Sequence, residues 1–488
     1  MQRPDALFLL VKSLTAAEKA LVRQSDKAQA GYLALFDLIS KQKAYDERKT
    51  KKKLIQAGFE INFSYAKNYL TKHILKVLRE NEDLGANASG RLVQEVEILM
   101  RRKVFDLAEK MLVKGKDKVW AEERWYEYLQ LSTIELDLIL QGDSKLENGL
   151  VSIGAVNAKR KMARENLTNL GEFEDVYYSY RPVLKRKQSA RNDWDLELVK
   201  EFGASPLLKS PDAAKTERAR RMYYLCLASI HAYSGKYAEA KQVLSDAVLQ
   251  YQNHAYLAED FPEGYLSALI RLGGMQLHFG EYAAVEQSLA EIKAFQLKRG
   301  AHASEIFDKY NRLLVGYAVT TGKHAIVNDE LSTIEAGLKQ YADILPWASQ
   351  STLLFLVGRL LFDQARYKEA KDWFNQILDR PNRGIREDLT SLSRILQVLI
   401  YFESGESEMV DFASKATRKY LQRRDSLHQF ERTMLKFMES NFFLSEGAAL
   451  KAAFKQLHHD LQAVFEDPLE ANVLAYFDIQ TWLQTKLK

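Results

Sequence analysis

The chain has little of what most fold classes require. One residue in 488 is cysteine, Cys226, which excludes an internal disulfide framework and a multi-cysteine metal cluster. Proline and glycine number 8 and 23. Turn-rich β architectures use both heavily, so their scarcity points to long helices joined by few tight turns. The most apolar run, 353–362, is interrupted by Arg359 and falls far short of the roughly 20 residues that a membrane-spanning helix needs. Near the start, the apolar stretch 6–11 is followed at once by Lys12, too short and too interrupted for a secretory signal. Together these absences predict a cytoplasmic protein with no membrane partner.

Signatures of catalysis are missing as well. The nine histidines are scattered and form no His-Glu-x-x-His pair. His458 and His459 are adjacent, so on a helix they diverge by about 100° and suit a solvated face better than a shared metal. Cys226 lies between Leu225 and Leu227 and reads as core, since no Cys-His-Asn set accompanies it. Asp193, Asp195 and Glu197 around Trp194 read as polar surface. The stretch 316–323 superficially resembles a phosphate-binding loop, but five residues separate its glycines and His324 follows Lys323, where the motif requires four and a hydroxyl residue. The expectation is a protein without catalytic residues, metal or cofactor.

What is present is a folded composition, 47% apolar, in a chain longer than one compact core usually supports. The net charge of +5 is uneven. Residues 1–80 hold 16 Lys/Arg against 8 Asp/Glu, a net +8, while the other 408 hold 54 against 57, a net −3. Within the basic segment Lys51, Lys52 and Lys53 cluster with Lys49. Lys72, Lys76 and Arg79 share one helix face, with Leu70, Ile74, Val77 and Leu78 largely opposite. Such a face can meet phosphates, which makes Lys51, Lys52, Lys53, Lys72, Lys76 and Arg79 candidate nucleic-acid contacts, although no base-reading set accompanies them. Four helices are expected in 1–84, near 4–12, 15–40, 44–57 and 63–82.

An internal repeat organises the rest. Segments 234–240, 279–285, 321–327, 364–370 and 404–410 share a break, an aromatic or small residue two positions on, and an amphipathic second helix; 446–453 is a weaker sixth. Anchored on Gly235, Gly280, Gly322, Ala365, Gly405 and Ala448, the spacings are 45, 42, 43, 40 and 43. In 236–251 the apolar Tyr237, Ala240, Val243, Leu244, Ala247, Val248 and Tyr251 keep to one helical face, with Glu239, Lys241, Gln242, Asp246 and Gln250 on the other. A single helix pair cannot bury such a face, so neighbours must stack.

These segments resemble tetratricopeptide repeats, whose aromatic, Leu-Gly, Tyr, turn-glycine, Tyr, Ala, Phe, Ala pattern is met in the first repeat by Tyr224, Leu227, Ala228, Gly235, Tyr237, Ala240, Leu244 and Ala247. Leu272, Gly273, Gly280, Tyr282, Leu289 and Ile292 meet it in the second, and Gly358, Tyr367, Ala370, Phe374 and Ile377 in the fourth. The third and fifth depart at Val315 and Ser414, and the period exceeds the family's 34. The resemblance covers about 216–464. It implies an all-α fold: a right-handed α-solenoid of tetratricopeptide-like helix hairpins with an N-terminal helical segment. The opening segment is also similar to uncharacterised bacterial helical-repeat proteins.

The organisation expected is a basic N-terminal helical segment at 1–84 and irregular helical hairpins at 85–199. A loop at 200–215, repeats at 216–467 and a C-terminal capping helix at 468–488 follow. In the resembled family the first helix of each pair lines a concave face. That implies a groove carrying Arg271, His278, Lys309, Arg312, Thr320, Phe355, Arg359 and Phe362, whose four strong cations suit an acidic or C-terminal carboxylate ligand. Arg312 takes one lysine-type position of the family's carboxylate clamp, but Gly274, Gly316 and Arg359 stand where an asparagine would. The expected function is a non-enzymatic protein- or peptide-binding scaffold. The alternative is a regulator that binds nucleic acid through its basic N-terminal helices and senses a ligand in the solenoid.

Overall fold

Apolar residues three and four apart put one stripe of each helix into contact with its neighbours. In the Tyr237–Asn253 helix Ala240, Leu244, Ala247, Val248 and Tyr251 are buried, while Glu239 and Gln242 stay exposed. Gln250 departs from the expected polar face. It is buried and donates to the Glu217 carbonyl at 2.8 Å and to Glu217 Oε2 at 2.9 Å, which offsets part of the cost of removing its amide from water, while its Oε1 is left without a partner among the described residues. The computed structural model describes residues 5–24, 30–42, 45–59, 62–81, 88–141, 149–184, 190, 192–295, 303–380, 386–444 and 447–487. Among them there is no strand, and the fold is all-α.

The repeat anchors are left-handed turns. Gly235, Gly280, Gly322 and Gly405 have φ between 69° and 73°, and Ala365 has φ 57°. Four of these five turns close in the same way. The amide one residue after the turn residue donates to the carbonyl five positions back: Lys236 to His231, Glu281 to Gln276, Arg366 to Leu361 and Glu406 to Tyr401, each at 2.9 Å. This satisfies carbonyls that the helix end would otherwise leave open. Lys103 and Glu123, at φ 58° and 54°, close two earlier turns identically, through Val104 to Leu99 and Arg124 to Val119. The sixth anchor, Ala448, instead begins a helix, and the positive φ falls on Gly447. Because a side chain at positive φ is strained, Ala365→Gly is expected to stabilise the chain by about 0.5–1 kcal/mol despite the looser unfolded state. The midpoint of chemical denaturation measures this; an unchanged or lower midpoint contradicts it.

The helix pairs are Glu217–Tyr233 with Tyr237–Asn253, Pro262–His278 with Tyr282–Ala294, Ala303–Thr321 with Leu331–Gln340, Trp347–Asp363 with Tyr367–Leu378, Glu387–Glu403 with Ser407–Gln422, and Gln429–Asn441 with Ala448–Val464. Within each pair the two helices pack on one another, in the third through the close approach of Gly337 to the Phe307 ring; from the second pair onward, first helices pack on first helices. The tyrosines after the turns occupy equivalent places. Tyr237 lies 4.7 Å from the His278 ring, Tyr282 lies 6.2 Å from Tyr317, and the Tyr367 hydroxyl donates to Glu403 Oε2 at 3.1 Å. Each therefore reaches the end of the next pair's first helix. Small residues permit the close approach. A Cβ on Gly273 would stand 2.7 Å from Leu313 Cδ2, and one on Gly358 would stand 2.8 Å from Phe374 Cε1. The extra helix Ala255–Asp260 lengthens the first repeat.

Upstream, Ala88–Arg101, Phe105–Ala121, Trp125–Leu140 and the 36-residue Gly149–Leu184 pack in sequence. The segment 200–215 is not a plain loop: the Asp193–Gly203 helix runs into it, and 3-10 turns at Pro206–Leu208 and Pro211–Ala213 follow. The N-terminal segment has its own apolar cluster, from Leu7 to Val77. Among the described residues its helices are Ala6–Ser13, Ala16–Gln24, Ala30–Lys41, Glu47–Gln56 and Phe63–Asn81. Part of the junction in the expected 15–40 helix lies outside the described residues, as does Pro381.

The C-terminal segment differs most from expectation. In place of one capping helix at 468–488 there are a turn of helix at Pro468–Ala471, a 3-10 turn at Asn472–Ala475 and the helix Ile479–Leu487. They reach back across the repeats. Asn472 accepts from the Tyr237 hydroxyl at 3.0 Å and donates to the Ala190 carbonyl at 2.8 Å, while Trp482 Nε1 donates to Glu403 at 3.2 Å. Glu470 caps the Gln429–Asn441 helix, accepting from the amides of Gln429 at 2.8 Å and Phe430 at 3.1 Å.

Candidate functional site

A cavity of about 2920 Å³ runs along the first helices of the first four pairs. Its wall is completed by Tyr177 and Arg181 of the Gly149–Leu184 helix, by the turn holding Glu122 and Arg124, and by the C-terminal segment at Tyr476, Asp478, Trp482 and Lys486. Helix periodicity explains the placement. The apolar stripe of each first helix faces its own pair and its neighbours, and the residues between that stripe and solvent are left facing the hollow.

Of the residues expected in a groove, Arg271, His278, Lys309, Arg312, Thr320, Arg359 and Phe362 line this cavity. Phe355 is a correction. It is 1% exposed and packs in the core with its ring 5.8 Å from that of Phe374; one helical position rotates it away from the hollow and onto its own partner helix.

Arg359 and Phe362 are covered by the chain's own tail. The Arg359 guanidinium lies 4.5 Å from the Phe477 ring and donates to the Tyr476 carbonyl at 3.1 Å. Phe362 meets Phe477 edge-on at 5.8 Å.

The cations are also unequal. Lys309 is paired with Glu305 at 3.3 Å and with Asp308 at 3.0 Å. Arg312 is paired with Asp308 at 2.9 Å, and Arg359 with Asp363 at 2.8 Å. Three of the four expected groove cations thus already have carboxylate partners. Arg271 has none among the described residues. Burial holds its pKa below the ordinary arginine value; Tyr180 opposes the shift, and the nearby cation Arg181 adds to it. Burial also holds His278 below the usual histidine range, so it is neutral at pH 7. At the tail's edge of the cavity, burial raises the Asp363 carboxyl against the opposing pull of Arg359.

Arg181 and Arg221 are site residues that sequence reasoning did not reach. Arg221 lies on the first helix of the first repeat, so the register that located Arg271 could have found it. Arg181 precedes the repeats and has no register to reveal it. The tail residues were equally hidden, because nothing local indicates where a terminal helix folds back.

The other candidates separate clearly. Lys323, from the glycine-containing stretch, contacts the Tyr317 hydroxyl at 2.7 Å in a turn that follows the Ala303–Thr321 helix. Cys226 is fully buried, and burial pushes its thiol to about 11. Asp195 is buried near the start of its helix, while Trp194 is exposed. Among the described residues, no group of three or more His, Cys, Asp or Glu could hold a metal ion, and no helix is long and apolar enough to cross a membrane.

Lys51, Lys52, Lys53, Lys72, Lys76 and Arg79 are all exposed. Leu70, Ile74 and Val77 are buried beneath the second group. Lys51 pairs with Glu47 at 2.7 Å and Lys76 with Glu80 at 3.7 Å. Compared with family models, with curated proteins and with solved structures, the chain matches none.

Proposed function

We propose that the chain is a non-enzymatic binding scaffold: a right-handed tetratricopeptide-like solenoid that receives a protein or peptide segment in the hollow along its first helices. The supporting observation is the cavity, about 2920 Å³ along four consecutive first helices. That is several times the roughly 300–1,000 Å³ of a small-molecule pocket and suits an extended chain. Its wall mixes aromatic and aliphatic groups, such as Tyr265, Met275, Leu277 and Trp347, with fixed charges, the combination that gives a peptide both affinity and register.

A blocking variant tests the reading without disturbing the core. Gly274 lines the cavity, and a Cβ there meets nothing within 4 Å. Gly274→Trp therefore fills the hollow while the helices keep their packing. Partners retained by the full chain are expected to be lost from this variant at unchanged melting temperature. Undiminished recovery removes the cavity from the account.

The exposed basic residues support a second reading, nucleic-acid binding through the N-terminal helices. Among the described residues Lys52, Lys53, Lys72 and Arg79 have no carboxylate partner, which leaves their charge available to phosphates. Titration of duplex DNA with the full chain distinguishes it: affinity should fall steeply with salt and weaken when these four become Gln. Absence of binding at low salt ends that reading.

A further inference from the structure

Three guanidiniums without carboxylate partners line the same cavity. Arg181 comes from Gly149–Leu184, Arg221 from Glu217–Tyr233 and Arg271 from Pro262–His278. Among the described residues no carboxylate pairs with any of them. Arg181 and Tyr177 both act electrostatically on Arg271, and Arg221 and Tyr177 both act on Tyr251. Aromatic faces hold two of the planes, with Tyr177 5.3 Å from the Arg181 guanidinium and Phe261 3.7 Å from that of Arg221. Stacking fixes a guanidinium plane and leaves its N–H edges free for planar recognition. Polar capacity is left over here too. Tyr251 is 2% exposed and faces Arg221, whose Nε has no well-formed hydrogen bond.

Lys309, Arg312 and Arg359 are neutralised by acids one helical turn away. At Arg271 the fold supplies no such acid, and it adds Arg181 instead. A cation removed from water without a counter-charge is unfavourable, and a like charge beside it increases that cost. An anion entering from outside reverses the sign.

Resting on the reading that this cavity is the binding surface, we propose that Arg181, Arg221 and Arg271 form a receptor for the phosphoryl group of a phosphorylated peptide segment. A phosphomonoester carries close to two negative charges at pH 7 and three strong acceptor oxygens, one for each guanidinium edge, whereas a carboxylate brings one charge and two oxygens. The length and partly apolar lining of the cavity place the rest of a peptide against Tyr265, Met275 and Trp347.

The test uses the full chain and a fluorescein-labelled nonapeptide library with a central phosphoserine, beside the same library with serine or glutamate. The phosphorylated library is expected to bind, with the serine and glutamate versions weaker by about tenfold or more, and inorganic phosphate should compete. Arg271→Gln and Arg221→Gln should each lose about tenfold or more, while Lys339→Gln, whose cation is paired with Glu335 away from the cavity, keeps its affinity. Without any anion Arg271→Met should melt no lower than the parent, because it removes an uncompensated charge. A markedly lower melting temperature shows that Arg271 is structural and overturns the proposal. So does equal binding of the serine and phosphoserine libraries. If phenyl phosphate binds and the phosphopeptides do not, the peptide assignment falls to a small phosphomonoester. If Gly274→Trp blocks the library while the arginine variants bind like the parent, the phosphoryl assignment fails and the cavity reading stands. If Gly274→Trp changes nothing either, both fail.

Discussion

Replacing Asp260 with alanine is expected to destabilise the chain by about 3–5 kcal/mol. Asp260 is the shared partner of two arginines from distant parts of the sequence. Arg124 Nη2 donates to its Oδ1 at 2.6 Å, and Arg218 donates to its Oδ2. The side chains of all three are at most 10% exposed. Removing the carboxylate leaves two buried cations facing one another, and the contacts that remain do not compensate for that. Arg124 keeps Glu122 at 2.8 Å and Arg218 keeps the Glu122 carbonyl at 3.0 Å. The cluster ties the turn at 122–124 to the first repeat, and Glu123 of that turn caps the Glu217–Tyr233 helix through the amides of Glu217 and Arg218, both at 2.8 Å. The loss should therefore loosen the joint between the upstream hairpins and the repeats. Equilibrium denaturation measures the cost, and hydrogen exchange at the amides of 217–220 locates it. A change below about 1 kcal/mol, the scale of an exposed pair, would mean that water screens the cluster and that the joint does not depend on it.

Phe477→Ala carries the second large effect, about 3–5 kcal/mol for truncating a buried phenylalanine. Phe477 is fully buried, packed edge-on against Phe362 and lying under the Arg359 guanidinium. Phe477 holds the middle of the tail together with buried Ile479 and with Tyr476, whose carbonyl accepts from Arg359. The loss should appear first as opening of 468–487, with Arg359 and Phe362 uncovered and the segment cut early by protease. Denaturation and timed proteolysis with mass detection read the two parts separately. If the tail remains resistant and the denaturation midpoint barely moves, it is held by Asn472 and Glu470 at its start and by the Glu403 contacts at its end. The cavity wall then does not depend on Phe477.

Much of the all-α fold was readable because its signals are local. Amphipathic spacing named the buried residues of Tyr237–Asn253, with Gln250 the exception because its partner, Glu217, lies on another helix. Glycines 40–45 residues apart marked left-handed turns, which glycine enters without strain. Ala365 could be placed by period alone, since nothing in alanine signals φ 57°. Lys103 and Glu123 carry the same geometry without the residue type that advertises it. Even the neutralised groove cations were within reach: Glu305 and Lys309, Asp308 and Arg312, and Arg359 and Asp363 are each four apart, the spacing at which helix side chains meet. Arg271 has Ser267 and Ala268 before it and Gly274 and Met275 after it, so no acid stands within one turn.

Local patterns of apolar spacing, turn residues and i to i+4 charges settled which segments are helical, where they turn and which cations have acids beside them. Such preferences act over a few residues and do not require the rest of the chain. Long-range packing settled the tail's path over Arg359, the capping of one helix by Glu123 and of another by Glu470, and the placing of Arg181 and Arg271 on one cavity wall. Each of these joins residues about 40 to more than 100 positions apart, and the free energy that selects such a contact exists only once both partners have been brought together.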